Sequence, residues 1–265
     1  MELTQKRVAN SYESSTKAYE LSALIDAGSF FYGLWDYGNK LMKSDIISKN
    51  LPKTSEIVAP AQARLRKVKI ALAEPFFTII HEDGYSSRDL KTLIDSTSRI
   101  PSTEAHVYRS DYVSDSKVRL CYAVPGELVD YINVEFDSPT LVHFITTQIE
   151  SITTIENVIK ASVIGQRCFI VAKNGSALRL ANSYRIDTWQ TVFYYVQLAR
   201  RTAGLEDQSF EFILSGTCPE EADIVQMLRR YLPNGSFYSM GLSCDGQGIT
   251  EEHHLGPLHD ISKCA

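Results

Sequence analysis

Residues 21–35 read LSALIDAGSFFYGLW, two apolar runs around the tetrapeptide Asp26-Ala27-Gly28-Ser29. Runs of about four to eight apolar or aromatic residues between turn formers read as hairpin-linked strands. A second turn cluster, Asp36-Tyr37-Gly38-Asn39, leads to Leu41 and Ile46-Ile47, so the start of the chain is expected to be a three-stranded meander. The same texture returns later. Asn157–Ile164 ends at Gly165, Cys168–Ala172 follows, and Ala177–Tyr184 comes after the turn Lys173-Asn174-Gly175-Ser176. Asn-Gly between apolar runs is a strong short-range hairpin signal. Gly28 and Gly165 are 137 residues apart (165 − 28), and so are Gly38 and Gly175 (175 − 38). Glycines at matched strand junctions imply matched backbone turns. The spacing therefore predicts a duplicated unit.

Each meander leads into helices. Thr188 is placed to cap a helix carrying Val192, Phe193, Val196, Leu198 and Ala199, with its end near Gly204. Phe210–Leu214 reads as a strand, and Pro219 opens a helix with Ile224, Val225, Leu228 and Leu232. The unit thus reads β-β-β-α-β-α. The first half carries this order less cleanly. Residues 54–67 are a helix candidate interrupted by Pro60, and the β-prone runs Lys69–Ala73 and Phe76–Ile80 are split by Pro75. Ser86–Thr97 reads as a capped helix, and Val107–Val113 and Val118–Val124 as strands. Pro139 is read as the first turn of a helix with the stripe Leu141, Val142, Ile145, Ile149 and Ile152. Residues 1–19 are expected to be a loose arm, and the Gly- and Ser-rich end a tail that packs back on the fold. The whole reads as α/β, mixed sheets covered by helices.

With 265 residues, 44% of them apolar, the chain can bury a large core without crosslinks. This composition excludes a disordered chain, and no run approaches the roughly 20 apolar residues of a membrane span. Twenty-seven basic against 32 acidic side chains give −5, which argues against non-specific nucleic-acid binding. The polar start MELTQKRVANSY has no apolar signal-peptide core. Cys121, Cys168, Cys218, Cys244 and Cys264 are odd in number and widely spaced, which fits reduced thiols in a cytoplasmic protein.

The duplicated plan resembles the actin-like ATPase superfamily (ASKHA), with its ribonuclease-H-like units. That superfamily includes sugar kinases and heat-shock chaperone ATPases and binds ATP between two such domains. More closely, LANSYRIDTWQTVFYYVQLARR (180–201) and FEFILSG (210–216) are similar to an uncharacterised bacterial family of domain-of-unknown-function proteins, typical of Bacteroidetes. LSALIDAGSFFYGLW (21–35) and KIALAEPFFTII (69–80) fit the same family. The resemblance covers most of residues 20–232 and implies a fold with an interdomain cleft rather than an activity.

The superfamily's first phosphate loop reads Asp-x-Gly-Ser/Thr between the first two strands, and Asp26-Ala27-Gly28-Ser29 stands there. A tight glycine turn aims N–H groups at phosphate, and a carboxylate orients hydrated magnesium. The same four residues also suit a plain hairpin turn. The 137 offset maps Asp26 onto Val163 and Ser29 onto Gln166, so the second loop, Val163-Ile164-Gly165-Gln166, keeps its glycine and lacks the carboxylate. A two-sided clamp on a γ-phosphate needs both. The adenosine-side loop, Leu214-Ser215-Gly216-Thr217, has one glycine where the superfamily usually has two, before a helix start that favours an anion. The candidate nucleotide-binding residues are Asp26, Gly28, Ser29, Gly165, Gly216 and Thr217, with ATP and magnesium the implied cofactors. No residue is assigned a catalytic role, and no metal site is expected.

Other constellations read as structural. The chain lacks a G-x-x-x-x-G-K-[ST] loop and a G-x-S-x-G elbow, and Gly246-Gln247-Gly248 stands alone. Cys244, His253, His254, His259 and Cys264 are metal-capable types at spacings poor for joint ligation. His143 reads as a partly buried structural histidine. Trp189, Phe193, Tyr194 and Tyr195 read as core packing, with a partner surface as the alternative. Arg200-Arg201 and the run Arg64–Lys69 read as solvated faces.

The expected organisation is an arm (1–19), a first actin-like subdomain (20–138), a second (139–235) and a tail (236–265). The expected function is a non-catalytic module with a degenerate nucleotide site, used for binding or interaction with a protein partner. The alternatives are an ATP-dependent phosphotransferase or ATPase, and an actin-like scaffold of a pilus or secretion assembly.

Overall fold

The computed structural model describes residues 7–9, 12, 18–26, 29–48, 51–58, 64–86, 89–98, 100–101, 105–153, 156–217, 227–228, 230–232, 235–237, 243–244, 247–248 and 252–264. One sheet starts from an edge strand, β1 (Arg7–Val8). Beside it, β2 (Ala18–Asp26), β3 (Ser29–Trp35) and β4 (Leu41–Ser48) form the expected antiparallel meander. β5 (Arg64–Leu72) and β9 (Thr140–His143) continue the sheet in parallel on the far side of β2. Its order is β1-β4-β3-β2-β5-β9.

A second sheet repeats the plan. β10 (Val158–Ile164), β11 (Arg167–Asn174) and β12 (Ala177–Arg185) are the antiparallel meander, and β13 (Glu211–Gly216) and β14 (Gly235–Phe237) follow in parallel beside β10. The order β12-β11-β10-β13-β14 matches β4-β3-β2-β5-β9 strand for strand. This is the duplicated α/β plan that the sequence pattern predicts. Between β5 and β9 the first copy carries an inserted sheet, β6 (Phe77–His81), β7 (His106–Val113) and β8 (Val118–Pro125), in the order β6-β8-β7.

Helices are α1 (Thr54–Val58), α2 (Leu90–Thr97), α3 (Gly126–Glu135), α4 (Phe144–Ser151), α5 (Trp189–Thr202) and α6 (Gly256–Lys263). α4 leaves the first sheet and enters the second. α6 makes the return journey and packs on β2 and α4. β10 is buried along its whole length, as expected of a strand covered on both faces. Its alternate residues Ile159, Ala161 and Val163 join the core under α5, while Val158 and Ile164 join the core shared by both sheets.

Three buried lysines end three helices. Lys43 of β4 donates to the carbonyls of Glu56 (3.2 Å) and Ile57 (2.6 Å) in α1. Lys173 of β11 donates to Ile149 (3.2 Å) and Ile152 (2.9 Å) at the end of α4. Lys69 of β5 donates to Ser262 (2.8 Å) and Cys264 at the end of α6. The last carbonyls of a helix have no intrahelical partner and carry the negative end of its dipole, so an ammonium beneath them satisfies both.

The structure departs from the sequence reading at several places. Within the expected loose arm, Arg7–Val8 pair with β4, Tyr12 is fully buried, and β2 already begins at Ala18. The helix expected over 54–67 stops at Val58, and Arg64–Lys69 belong to β5. The helix expected from Pro139 is a strand followed by a helix, because Thr140–His143 pair with β5 before α4 starts at Phe144. The expected boundary at residue 139 therefore falls before the last strand of the first sheet. α3 was not foreseen. Of the helix expected from Pro219, only 227–228 and 230–232 are among the described residues.

The glycine register also shifts. The hairpin pairs are Asp26↔Ser29 and Ile164↔Arg167, an offset of 138 (164 − 26) rather than 137. Asp26 therefore corresponds to Ile164, not Val163; both are apolar where a second carboxylate was sought. The other turns differ in kind. Gly175 (φ +58°) sits in a tight turn between Asn174 and Ala177, whereas the wider 36–40 loop places Asn39 (φ +58°) in the left-handed region.

Candidate functional site

In open α/β sheets, ligand crevices lie beyond the carboxyl ends of the parallel strands. β2 ends there at Asp26 and β10 at the turn holding Gly165, and these two ends meet. A Cβ built on Gly165 would lie 2.9 Å from Oδ2 of Asp26, inside any tolerated contact. Gly165 also has φ +55°, which favours glycine on its own account. The Asp26 carboxylate thus rests directly over the α-carbon of Gly165. Ser29 pairs with Asp26 at the start of β3. Gly28, the remaining member of the first loop, lies outside the described residues.

Gly216 and Thr217 are turned onto β10. Gly216 has φ +91°, and a Cβ there would stand 2.1 Å from the Val163 carbonyl oxygen. The Thr217 N–H donates to that same oxygen at 2.8 Å, and the Thr217 hydroxyl approaches it at 3.2 Å. Both donors of Thr217 are thereby directed at the neighbouring strand. Beside Gly165 opens a pocket of about 360 Å³, lined by Gly165, Gln166, Ile186, Asp187, Thr188 and Trp189. Ile186 donates its N–H to the Gln166 carbonyl (2.9 Å), which fastens the β12–α5 junction to the turn. Thr188 caps α5 as expected, accepting from the Thr191 N–H. The structure therefore brings together Asp26, Ser29 and Gly165. It places Gly216 and Thr217 at the end of the adjoining strand pair. Ile186 and Asp187 were not singled out from sequence, although two residues between a strand end and a helix cap mark such a junction.

Behind these turns runs a buried polar chain. The hydroxyls of Ser215 and Ser162 meet at 2.5 Å, Ser162 donates to Gln148 Oε1 (2.8 Å), and Gln148 Nε2 donates to Asp260 Oδ2 (3.0 Å). Lys160 Nζ donates to the same carboxylate oxygen and to Ser151 Oγ. The chain ties β13, β10, α4 and α6 into one unit. Burial lowers the Lys160 pKa, and Asp260 opposes that shift.

The inserted sheet is anchored through Asp111 of β7. Its carboxylate accepts from the His143 N–H (2.6 Å), Thr146 Oγ1 (2.8 Å) and Tyr122 OH (3.1 Å), at the start of α4. Burial pushes its pKa up, and these three bonds resist the shift. His143 is fully buried rather than partly so. Its Nδ1 accepts from the Ile145 N–H (3.1 Å), so Nε2 carries the proton shared with the Glu74 carbonyl (2.9 Å). Burial pushes the thiols of Cys121 and Cys264 up to about 11 and about 12, so both stay as thiols. Among the described residues, no group of three or more His, Cys, Asp or Glu side chains is arranged to hold a metal ion.

Comparison with known proteins follows the fold. A crystal structure from Bacteroides thetaiotaomicron VPI-5482, described as a protein with actin-like ATPase fold and unknown function, aligns with TM-score 0.68 at 15% identity. It covers 88% of this chain and 95% of that one. The PilM-PilN type IV pilus biogenesis complex aligns with TM-score 0.57 at 10% identity, over 92% of this chain and 96% of that one. No curated protein matches the chain at a significant level. A family model described as "Protein of unknown function (DUF3822)" matches residues 43–234, and the chain belongs to that family, on an actin-like ATPase fold.

Proposed function

We propose that this protein is a non-catalytic interaction module, built on a bacterial actin-like fold whose nucleotide site has degenerated. The observation that carries this reading is the seating of the Asp26 carboxylate on Gly165. A nucleotide bound between these two strand ends needs its phosphates there, and the close approach of Asp26 to Gly165 leaves little room between them. Two further features support it. Ile164 stands opposite Asp26 in the duplicated register, and an apolar side chain neither holds magnesium nor orients water. Thr217 directs its hydroxyl and N–H at Val163 instead of an incoming ligand. Among the described members of the six residues sought for ATP and magnesium, the placement of Asp26, Gly165, Gly216 and Thr217 supports a site without that cofactor pair, and no catalytic step is built on it. We place the division between the two lobes at α4, where the chain passes from one sheet to the other. Among the described residues no helix is long and apolar enough to cross a membrane. We assign the chain to the cytoplasm on its scattered, buried thiols.

Isothermal titration with magnesium-ATP and magnesium-ADP tests the reading. The expected result is no binding in the micromolar range and no phosphate release. Micromolar binding with turnover that Asp26→Ala abolishes would establish the phosphotransferase or ATPase alternative instead.

A second reading, a scaffold within a pilus or secretion assembly, is favoured by the similarity to the PilM-PilN complex. It places the same module beside a protein partner. Sedimentation of the purified chain would show polymers if it acts as a filament-forming scaffold.

A further inference from the structure

α5 is amphipathic in an unusual way. Val192, Val196 and Ala199 are buried beneath it, while Tyr194 on the outer side is 61% exposed. The helix contains no acidic residue and ends in Arg200-Arg201. Aromatic rings run across it. Tyr195 stacks flat on Tyr184 of β12, with centroids 4.0 Å apart and planes at 12°. Tyr194 meets Tyr195 edge-on at 5.2 Å. On the other flank Phe193 packs on Tyr231 at 5.5 Å, and Tyr231 is itself 52% exposed.

Exposed arginines border the band. Arg201 lies one helical repeat beyond Tyr194, and Arg230 has its guanidinium 5.5 Å from the Tyr231 ring. The opposing charge on β12, α5 and the junction between them is Asp187, paired with Arg185 at 3.5 Å. Glu206 and Asp207 follow in the loop beyond the helix end. Residues 177–202, from β12 through α5, contain no lysine and no glutamate, and their cationic side chains are all arginines. A merely solvated face draws on lysine and glutamate. Interfaces are enriched in tyrosine, phenylalanine and arginine and depleted in lysine and glutamate.

The charge selects the occupant. The chain as a whole carries −5, so this cationic face is set against the general charge of the molecule. Two copies meeting here about a two-fold axis would oppose arginine to arginine. We infer that the outer face of α5, with Arg230 and Tyr231 beside it, docks an acidic protein segment of a different chain. Its carboxylates would pair with Arg201 and Arg230, and its apolar side chains would lie across the tyrosine band. This deepens the interaction-module reading, yet it concerns a face distinct from the turns at Asp26 and Gly165. Nucleotide titration tests one and peptide selection the other.

The experiment is selection of a random 12-residue peptide display library on the immobilised full-length chain. Selected peptides are expected to be enriched in Asp and Glu and to carry apolar positions. In fluorescence anisotropy, Arg201→Glu combined with Arg230→Glu should weaken them about tenfold or more, and Tyr194→Ala should weaken them several-fold. These side chains are exposed, so unchanged thermal melting of the variants confirms folding. Selected peptides without acidic enrichment, or equal binding by the variants, would overturn the assignment. So would a dimer in sedimentation that the same substitutions convert to monomer, since a second copy would then be the occupant.

Discussion

Lys160 and Asp260 form a fully buried ion pair, Nζ to Oδ2 2.5 Å, between the central strand of the second sheet and the C-terminal helix. The two residues are 100 positions apart, so the pair also fixes where α6 returns to the body of the fold. Breaking one side of such a pair leaves an uncompensated buried charge, at a cost of about 3–5 kcal/mol. Replacing both sides by apolar groups removes that burden. Asp260→Leu and Lys160→Met are each expected to destabilise by about 3 kcal/mol or more in urea unfolding, and the double variant by clearly less than their sum. Additive losses would show that the two residues act separately.

The three lysines under helix ends give a second expectation. Lys173→Met keeps the aliphatic stem but removes the ammonium donor from the Ile149 and Ile152 carbonyls at the end of α4, leaving Ile149 with the Ile152 N–H at 3.3 Å. The expected loss is about 1–3 kcal/mol, with Lys173→Arg retaining part of it. Amide exchange in the last turn of α4 should quicken in the methionine variant.

Contact between the hairpin turns is open to a double-mutant cycle. Gly165→Ala adds a methyl where Asp26 Oδ2 stands 2.9 Å away, on a backbone with φ +55°. The left-handed conformation alone costs about 1–2 kcal/mol for alanine. In wild type the loss should exceed that figure, and in an Asp26→Gly background it should fall back to it. An identical loss in both backgrounds would separate the two turns.

Acid stability should depend on His143. Its pKa is pushed down to about 4 by burial, with the bond to the Glu74 carbonyl opposing. A histidine in the unfolded chain titrates near ~6.5. Between those values the unfolded chain binds a proton that the folded chain refuses, so stability rises with pH there. It is fully present above pH ~6.5 and is lost as pH falls toward ~4. His259, also held down to about 4 by burial and by Lys263, acts in the same direction. Going from pH 7 to pH 4.5, His143 should account for a loss on the order of 2–3 kcal/mol. His143→Gln, which can accept from Ile145 and donate to Glu74, should flatten that slope in melts across the range.

Local chemistry made much of the architecture readable. Turn glycines and asparagines between β-prone runs announce both meanders, and a threonine before an apolar stripe announces α5. Elements that depend on distant partners were hidden. Thr140–His143 continues the apolar spacing of α4, and periodicity cannot separate a four-residue strand from a first helical turn. What makes these residues a strand is the parallel pairing with β5, and what starts the helix after them is the His143 side chain capping α4, with Asp111 holding the His143 N–H. The duplication is real in topology, but the glycine spacing that pointed to it is out of register by one at the first turn and differs in turn type at the second.

At the candidate site, the sequence by itself determined the residue types: a carboxylate at position 26, a glycine at 165 and an apolar side chain opposite the carboxylate. These follow from composition at each turn and need no coordinates. Only the tertiary structure decided that Asp26 closes onto Gly165 and that Thr217 bonds back to Val163. It alone decided that Lys160, Gln148 and Asp260 meet in the interior. The reason is physical. A hairpin is specified by neighbours in the chain, whereas a contact between two hairpins depends on how both sheets pack against the helices that link them.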